Sequence, residues 1–478
     1  MALKERLESR RSPVASPLAP SEGTLSVIAG TKTEPPAPPT PQQPPPATDG
    51  AQKPGRLSST LTTAKAAIHA QLVERHAHEI DITDRAGVRS RITSLAEEYA
   101  KTSGATFNRL DYGHLIDALL DEVLGLGPLQ TLLEDPETTE IMVNQPGHIY
   151  IERKGRVSLS PVIFESETQM RTVIDRIVGS VGRRVDESQP MCDARLRDGS
   201  RVNVIIPPLA LDGPCMTIRK FSRDKLRPDD LITMASATPE MVEFLRAAVR
   251  SRFSILVSGG TSSGKTTLLN ILSGFIPADE RIVTIEDSAE LQLRQEHVIR
   301  LESKPPNVEG KGAIPIRELV RNALRMRPDR VIVGECRGGE ALDMLQAMNT
   351  GHEGSMSTVH ANSAVDAFAR IETMVLMGGS DLPARAIQKQ IASAIDLVVH
   401  AARVRGGARK IVSITEVTGL VNNETQTQEL FHFHQTGVDA DGNAVGFHSA
   451  TGSQSVNLDR FAERGERLPA DIFEPRQQ

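Results

Sequence analysis

Tryptophan is absent from this chain of 478 residues, aromatic residues make up only 3% of it, and cysteine occurs three times. Cys192, Cys215 and Cys336 are isolated in the sequence. They can form neither a four-ligand metal site nor a disulfide framework, which fits a reducing cytoplasm. The chain has no apolar run of about 18 residues, and its first residues lack an apolar stretch of signal-peptide length. We therefore expect a cytoplasmic protein that reaches a membrane only through a partner.

An excess of positive charge is also missing. The chain carries 55 Lys and Arg residues against 61 Asp and Glu residues, a formal net charge of −6, and the acidic residues are spread along it. A protein that binds duplex nucleic acid usually presents a basic stripe to the phosphate backbone. We therefore expect no nucleic acid partner.

Proline, by contrast, is concentrated near the start of the chain. Residues 11–55 consist mainly of Pro, Ala, Ser, Thr and Gln, with proline runs at 35–39 and 44–46. Such a segment has too little apolar area to offset the entropy lost on ordering. We predict a disordered Pro-rich tail over residues 1–56; a ligand for a proline-binding partner is the alternative.

Apolar periodicity predicts two folded regions before the middle of the chain. A helical period runs from Leu57 to about Asn144, and we place an N-terminal helical bundle at 57–134. The period then changes to two, which predicts a smaller α+β domain at 135–222. Its predicted elements are a hairpin at 147–160, a helix at 167–181 and strands at 201–206 and 215–219.

Alternating strands and helices dominate the second half of the chain. A polar stretch predicts a linker at 223–238, and a larger domain follows at 239–435. Its predicted strands cover 253–257, 281–285, 330–334 and 355–359, and its predicted helices cover 265–275, 316–326, 339–349 and 363–377. This alternation implies an α/β fold with a parallel sheet, whose ligands bind at the carboxyl ends of the strands. Residues 436–478 match no motif, and we predict a C-terminal tail there.

A phosphate-binding loop of the form G-x-x-x-x-G-K-[ST] follows the first of these strands. It comprises Gly259, Gly260, Thr261, Ser262, Ser263, Gly264, Lys265, Thr266 and Thr267. Glycines let the backbone N–H groups converge on phosphate oxygens, Lys265 can reach the β- and γ-phosphates, and the Thr266 hydroxyl can ligate Mg²⁺. The helix N-terminus that follows also favours an anion. The loop therefore predicts nucleotide binding with Mg²⁺; a structural Gly-rich turn is the alternative.

Two further predicted strands end in acidic residues. Glu286 and Asp287 follow the strand at 281–285, and Glu335 ends the strand at 330–334. Carboxylates at this edge can activate the attacking water or hold Mg²⁺ and its bound water. We predict that Glu286 and Glu335 take part in hydrolysis; a helix cap or a surface pair is the alternative for Glu286 and Asp287.

Two histidines border the strand at 355–359. A neutral imidazole near the γ-phosphate can relay a hydrogen bond and so sense hydrolysis. We predict this role for His360, with His352 as a second candidate, although isolated histidines are more often structural.

The smaller domain carries a cluster of cations although it has no phosphate-binding loop. Arg201 and Arg219 lie on predicted strands, which would hold them rigidly. An arginine supplied by another domain can neutralise charge on a transferring phosphoryl group. We predict that both approach the nucleotide; a solvated basic face is the alternative.

These motifs, in this order, resemble the secretion ATPase superfamily, whose members drive type II secretion, type IV pili and type IV secretion. The resemblance covers about 60–420 and rests on the phosphate-binding loop, Glu286-Asp287, Gly334-Glu335 and Ser357-Thr358-Val359-His360. Ala194-Arg195-Leu196 and Thr350-Gly351-His352-Glu353-Gly354-Ser355 are similar to the branch that powers Tad pili, the CpaF/TadA type.

The resemblance implies a RecA-like motor domain, a PAS-like middle domain, an N-terminal helical region and a homohexameric ring that hydrolyses ATP. It implies that Gly259 to Thr267 form the Walker A loop, that Glu286 is the catalytic carboxylate and that Glu335 is the Walker B acid. His360 then corresponds to the sensor histidine, and Arg201 and Arg219 to arginines that contact phosphate. The implied partners are inner-membrane platform proteins, at the inner face of a bacterial cytoplasmic membrane.

One departure separates this chain from the type II and conventional pilus extension motors. Those carry a four-cysteine zinc motif after the sensor histidine, and this chain has no cysteine beyond Cys336. The departure favours the Tad and type IV secretion side of the superfamily. The alternatives are a type IV secretion traffic ATPase, a RecA-like nucleic-acid translocase and a nucleotide-gated scaffold that does not hydrolyse ATP.

Overall fold

The computed structural model describes residues 59–76, 84–153, 155–221, 226–307, 311–379 and 381–475. The predicted Pro-rich tail at 1–56 and residues 223–225 of the predicted linker lie outside the described residues. Among the described helices, none combines the length and the apolar character that a membrane span requires.

The described chain begins with three α-helices: α1 Ser59–His76, α2 Arg85–Ser103 and α3 Arg109–Val123. The Asp84 side chain caps α2 by accepting from the Gly87 N–H, and Asn108 caps α3 by accepting from the Asp111 N–H. Their apolar stripes bury one another in a single cluster, as the helical period predicted. A 3₁₀ turn at Gly127–Leu129 and the short helix α4, Gln130–Glu134, lead into the next domain.

The middle domain is a six-stranded antiparallel sheet covered by one helix. Its strands are β1 Thr138–Gln145, β2 His148–Arg153, β3 Arg156–Leu159, β4 Met191–Arg195, β5 Arg201–Ile205 and β6 Cys215–Arg219, in the order β3-β2-β1-β6-β5-β4. The helix is α5, Glu167–Ser180, and the predicted hairpin, helix and second strand pair are confirmed. The expectation that the helical pattern continues to Asn144 is wrong, because this stretch forms β1, which lies between β2 and β6 in the sheet. Its alternate residues Ile141 and Val143 are buried in the core of the middle domain.

The motor domain is a nine-stranded sheet with helices on both faces. Its strands are β7 Ile255–Gly259, β8 Ile282–Glu286, β9 Val298–Glu302, β10 Arg330–Val333, β11 Met356–His360, β12 Leu397–Arg403, β13 Arg409–Val421, β14 Glu424–Val438 and β15 Ala444–Ala450. Its helices are α6 Pro228–Thr233, α7 Pro239–Arg250, α8 Lys265–Ser273, α9 Ile316–Ala323, α10 Glu340–Asn349, α11 Ala364–Met377, α12 Ala384–Ala394 and α13 Leu458–Glu463.

The parallel part of this sheet confirms the predicted α/β fold. The strand order is β15-β14-β13-β12-β7-β11-β10-β8-β9; the six strands from β12 to β9 run parallel, and β13 to β15 are antiparallel. Along β7, Ile255 and Val257 belong to one apolar cluster while Leu256 belongs to the other. The strand is therefore apolar at successive positions because both faces are covered by helices.

A buried ion pair ties the strands together at the edge opposite their carboxyl ends. Arg330, the first residue of β10, is fully buried, and its Nε lies 2.6 Å from Glu280 Oε2. The same guanidinium donates to the carbonyls of Gly354, at 3.0 Å, and Val249, at 2.9 Å. A Cβ at Gly354 would lie 1.9 Å from Arg330 Nη1, so the chain before β11 requires glycine there.

The expectation of a tail at 436–478 is wrong. Strands β14 and β15 extend the motor sheet, and Phe461, Ile472 and Phe473 beyond them are buried in the motor core. The Phe461 ring stacks on Phe253, just before β7, with a centroid distance of 4.7 Å. The apolar residues of this segment are few and widely spaced, so they show neither a helical nor a strand period in the sequence. In the fold they pack together against one end of the motor core.

The predicted linker at 223–238 also contains structure. Helix α6 begins at Pro228, and Leu231 within it is buried against the motor core. The polar residues that suggested a linker are the capping residues of this short helix: Asp230 accepts from the Arg227 N–H.

The role of the C-terminal segment is testable with Phe461→Ala. We expect a loss of about 3–5 kcal/mol of motor-domain stability, because a buried aromatic ring is removed and its cavity cannot refill. Leu458→Ala is the matched control, since Leu458 lies on the same helix but is 40% exposed. Thermal unfolding followed by circular dichroism measures both. Equal melting temperatures for the two variants would mean that the segment does not stabilise the domain.

Candidate nucleotide-binding site

The phosphate-binding loop connects β7 to α8 and requires glycine at two positions, one for lack of space and one for its backbone conformation. Gly259 has a φ of +156°, and a Cβ there would lie 2.2 Å from the Ala401 carbonyl oxygen and 2.5 Å from Ser263 Oγ. Gly264 has a φ of +92° and immediately precedes α8. The Ser263 hydroxyl is buried and has no hydrogen-bond partner within the described residues. This cradle of backbone and one unpaired hydroxyl fits a phosphate group.

Lys265 begins α8 and points into this cradle. Its Nζ donates to the Gly260 carbonyl at 2.9 Å and lies 3.4 Å from either ring nitrogen of His360. Burial lowers the pKa of the Lys265 ammonium, the Glu335 carboxylate opposes that effect, and Arg219 adds to it. A phosphate would supply the negative charge that this partly desolvated cation lacks.

Glu335 and His360 meet because their strands are neighbours. Glu335 follows β10 and His360 ends β11, and these two strands pair in parallel. His360 Nε2 lies 2.8 Å from Glu335 Oε1, while Arg337 Nη2 lies 2.6 Å from Glu335 Oε2. Burial, and secondly the charge of Lys265, lower the pKa of His360. The imidazole is therefore neutral near pH 7 and can accept or relay a proton.

Glu286 ends β8 but does not stand free at the mouth of the sheet. It is 3% exposed, and its Oε2 accepts from the backbone N–H groups of Glu290, at 2.8 Å, and Leu291, at 2.9 Å. Its Oε1 is buried without a partner in the described part of the chain. Burial raises the pKa of Glu286 to about 7, so a small change in surroundings alters its charge. Its neighbour Asp287 is more exposed, with Oδ2 3.3 Å from Arg337 Nη1.

The two arginines of the middle domain face the loop across the same cavity. Arg201 on β5 and Arg219 on β6 are directly paired positions in adjacent strands, so their side chains share one face of the sheet. Arg201 Nη1 lies 2.8 Å from Glu290 Oε1, which ties the middle domain to the chain after β8. The register between β5 and β6 thus presents both cations to the motor domain.

One cavity of about 470 Å³ contains these groups. Its lining includes Arg201, Arg219, Thr261, Ser262, Ser263, Gly264, Lys265, Thr266, Thr267, Glu286, Glu335 and His360. Its size suits a nucleotide, and the lysine and arginine side chains that line it suit phosphates. The Thr266 hydroxyl and the Glu335 carboxylate are hard oxygen donors of the kind that Mg²⁺ takes, alongside phosphate and water. The residues present therefore fit a Mg²⁺-nucleotide.

Three outcomes differ from the sequence reasoning. Arg337 also lines the cavity, and its position two residues after Glu335 is the signal in the sequence that indicates it. Arg409 lines it too and donates to the Ser262 carbonyl at 3.1 Å, but its distance along the chain gave no signal. His352 lies before β11, at the opposite end from His360, and is not among the described residues lining the cavity.

The fold and the loop define a P-loop protein with a RecA-like motor domain. The family model for "Type II/IV secretion system protein" matches residues 122–450, and the chain belongs to this family. The match confirms the resemblance to secretion ATPases that the motifs suggested.

Relatives of this chain are named for conjugal transfer and type IV secretion. Rv3659c of Mycobacterium tuberculosis, named for conjugal transfer, is 39% identical over 307 residues, which cover 62% of this chain and 85% of that protein. The type IV secretion system protein PtlH of Bordetella pertussis is 36% identical over 326 residues, 62% of this chain and 95% of that protein.

Solved structures include one ATPase above 30% identity. The VirB11 ATPase from the Brucella suis type IV secretion system, crystallised with sulphate, is 31% identical, with coverage of 60% of this chain and 94% of that chain and a TM-score of 0.34. The Legionella pneumophila ATPase DotB is 21% identical, with coverage of 60% and 79% and a TM-score of 0.42.

The raised pKa of Glu286 predicts a pH dependence of stability. The ordinary pKa of a glutamate carboxyl is 4.5. Between that pH and about pH 7, Glu286 keeps a proton in the folded protein that it has lost in the unfolded chain. Stability therefore falls as pH rises through this window, by an amount on the order of 3 kcal/mol. Glu286→Gln cannot titrate and should lose this fall. Urea unfolding of both proteins at about pH 5 and pH 8 measures it, and identical pH slopes would contradict the assignment.

Proposed function

We propose that this protein is a Mg²⁺-dependent ATPase that works as a homohexamer and powers assembly of a Tad or type IV-like pilus. In this proposal it lies in the cytoplasm, at the inner face of a bacterial cytoplasmic membrane, and acts on inner-membrane platform proteins. The single observation that carries the enzymatic part is the shared cavity, in which Lys265, Glu335 and His360 of one domain face Arg201 and Arg219 of another.

Each group has a distinct task in this proposal. The backbone of Gly259 to Thr267 and the Lys265 ammonium bind the phosphates of ATP, and Thr266 and Glu335 would hold Mg²⁺, which neutralises phosphate charge when bound. Glu286 accepts a proton from the attacking water, which requires its ionised form. His360, between Lys265 and Glu335, responds to the presence of the terminal phosphate.

The middle domain would supply the remaining positive charge. Arg219 and Arg201 stand on a sheet that has no phosphate-binding loop of its own, so they contribute only when the two domains approach each other. Charge that develops on the transferring phosphoryl group is stabilised by such cations, an effect worth roughly 10³ to 10⁵ in rate in other phosphoryl-transfer enzymes. Hydrolysis thereby becomes coupled to a movement of domains, which is what a motor needs.

A type IV secretion traffic ATPase is the second candidate. It has the same enzymatic chemistry and a different load, and the names of the relatives favour it. The neighbouring genes separate the two candidates: pilin and prepilin-peptidase genes would support pilus assembly, and a set of conjugation genes would support secretion.

Replacement of the strand-end carboxylate tests hydrolysis directly. Glu335→Gln should reduce phosphate release from ATP by about 100-fold while nucleotide binding persists, because a neutral amide cannot hold Mg²⁺ or orient water as a carboxylate does. Glu353→Gln removes one exposed negative charge before β11, at the opposite edge of the sheet from the site, and should behave like the wild type. Fluorescent-nucleotide titration measures binding. An unchanged rate of phosphate release in Glu335→Gln would show that the chemistry is misassigned.

Size-exclusion chromatography combined with ATPase assays tests the contribution of the middle domain. We expect activity of the wild type only in fractions of ring size, and a loss of about 1,000-fold in Arg219→Ala at an unchanged elution volume. Arg156→Ala, an exposed cation on β3 of the same sheet, is the control. Full activity of Arg219→Ala would mean that the motor domain needs no arginine from the middle domain.

A further inference from the structure

The guanidinium of Arg195, the last residue of β4, crosses from the middle domain to the motor domain. Its Nη1 lies 2.8 Å from Glu302 Oε2 at the end of β9. Its Nη2 donates to the Ser288 hydroxyl at 2.8 Å and to the Ala289 carbonyl at 3.0 Å. Arg195 is not among the described residues that line the nucleotide cavity, so its binding groups are directed to protein.

The segment that Arg195 contacts also orients Glu286. Within residues 287–291, the backbone N–H groups of Glu290 and Leu291 donate to Glu286 Oε2. The Ala289 N–H donates to Glu302 Oε2 at 3.0 Å, the same oxygen that Arg195 contacts. The segment is thus held by Arg195 and Glu302 at Ser288 and Ala289, and by Glu286 at the N–H groups of Glu290 and Leu291. Arg201 contacts the same segment separately, through the Glu290 side chain.

This contact is strong because one guanidinium binds three groups at once. An ion pair with partners 30% and 42% exposed, as Arg195 and Glu302 are, contributes little when isolated. Here the same guanidinium also binds a hydroxyl and a carbonyl of one short segment, and charge-assisted hydrogen bonds with fixed geometry are stronger and more directional. Removal of the cation would free Ser288 and Ala289 from the middle domain while leaving the motor strands in place.

We propose that Arg195 is a positioning residue that couples the approach of the middle domain to the orientation of the Glu286 carboxylate. This inference rests on the proposed function, in which Glu286 accepts the proton of the attacking water. Arg195 acts through residues 288–291 and touches no substrate. It therefore controls the rate of hydrolysis and leaves the affinity for nucleotide unchanged.

The test compares Arg195→Ala with Arg197→Ala in the full chain. Arg197 is exposed, lies two residues further on and carries the same charge. We expect kcat for ATP hydrolysis to fall about tenfold or more in Arg195→Ala, with KM and the Kd of a non-hydrolysable ATP analogue within about twofold of wild type. Arg197→Ala should match the wild type. Hydrogen exchange at the amides of residues 288–291 should accelerate in Arg195→Ala alone.

A second variant approaches the same contact from the motor domain. Glu302→Gln should lower kcat in the same direction, and the double variant Arg195→Ala/Glu302→Gln should lose little more than Arg195→Ala alone, because both changes break one network. Arg195→Lys keeps the charge without the planar fork and should recover only part of the rate.

Three results would overturn the inference: a kcat for Arg195→Ala equal to that of Arg197→Ala, a parallel loss of nucleotide affinity, or unchanged exchange at residues 288–291. The proposed function has a separate test in Glu286→Gln. Wild-type hydrolysis in that variant would remove Glu286 from the chemistry and with it the inference. An inactive Glu286→Gln alongside a normal Arg195→Ala would overturn the coupling alone.

Discussion

The buried ion pair between Arg330 and Glu280 is the constraint on which the motor domain depends. A fully buried guanidinium is tolerated only where every donor finds an acceptor, and here those acceptors come from the ends of three other segments. The ion pair therefore fixes the relative positions of three segments: the end of α7, the residue two positions before β8, and the glycine two positions before β11. Strands aligned at this edge necessarily bring their opposite ends together.

The nucleotide site is the consequence at that opposite edge. Glu286 ends β8, His360 ends β11 and Glu335 follows β10, and these three strands are neighbours in the sheet. Lys265 follows β7, beside β11. Side chains then link across the cavity in a chain from the Lys265 ammonium through the neutral His360 imidazole to the Glu335 carboxylate and the Arg337 guanidinium. Such pairs hold the site in order while offering charges that a phosphate and a metal ion can take over.

The motifs predicted much of this site, because the phosphate-binding loop and the residues at strand ends are local in sequence. Strand ends in a parallel sheet must meet at one edge, so Glu335 and His360 could be placed together without coordinates. The burial of Glu286 under the segment 287–291 could not, since it depends on how a loop folds back. Arg409 likewise reaches the loop from a hairpin more than a hundred residues away, and no spacing rule connects them.

The sequence by itself determined that this chain binds nucleotide in an α/β domain, because glycines, lysine and threonine at fixed spacing follow an apolar strand. Only the tertiary structure decided that the C-terminal segment belongs to the motor core, since its few aromatic residues acquire meaning by packing on Phe253 and Phe244. The tertiary structure also decided that Arg201 and Arg219 face the cavity, whereas Arg195 contacts the segment 287–291 that orients Glu286. Such assignments depend on strand register and on contacts between domains, which local patterns do not encode.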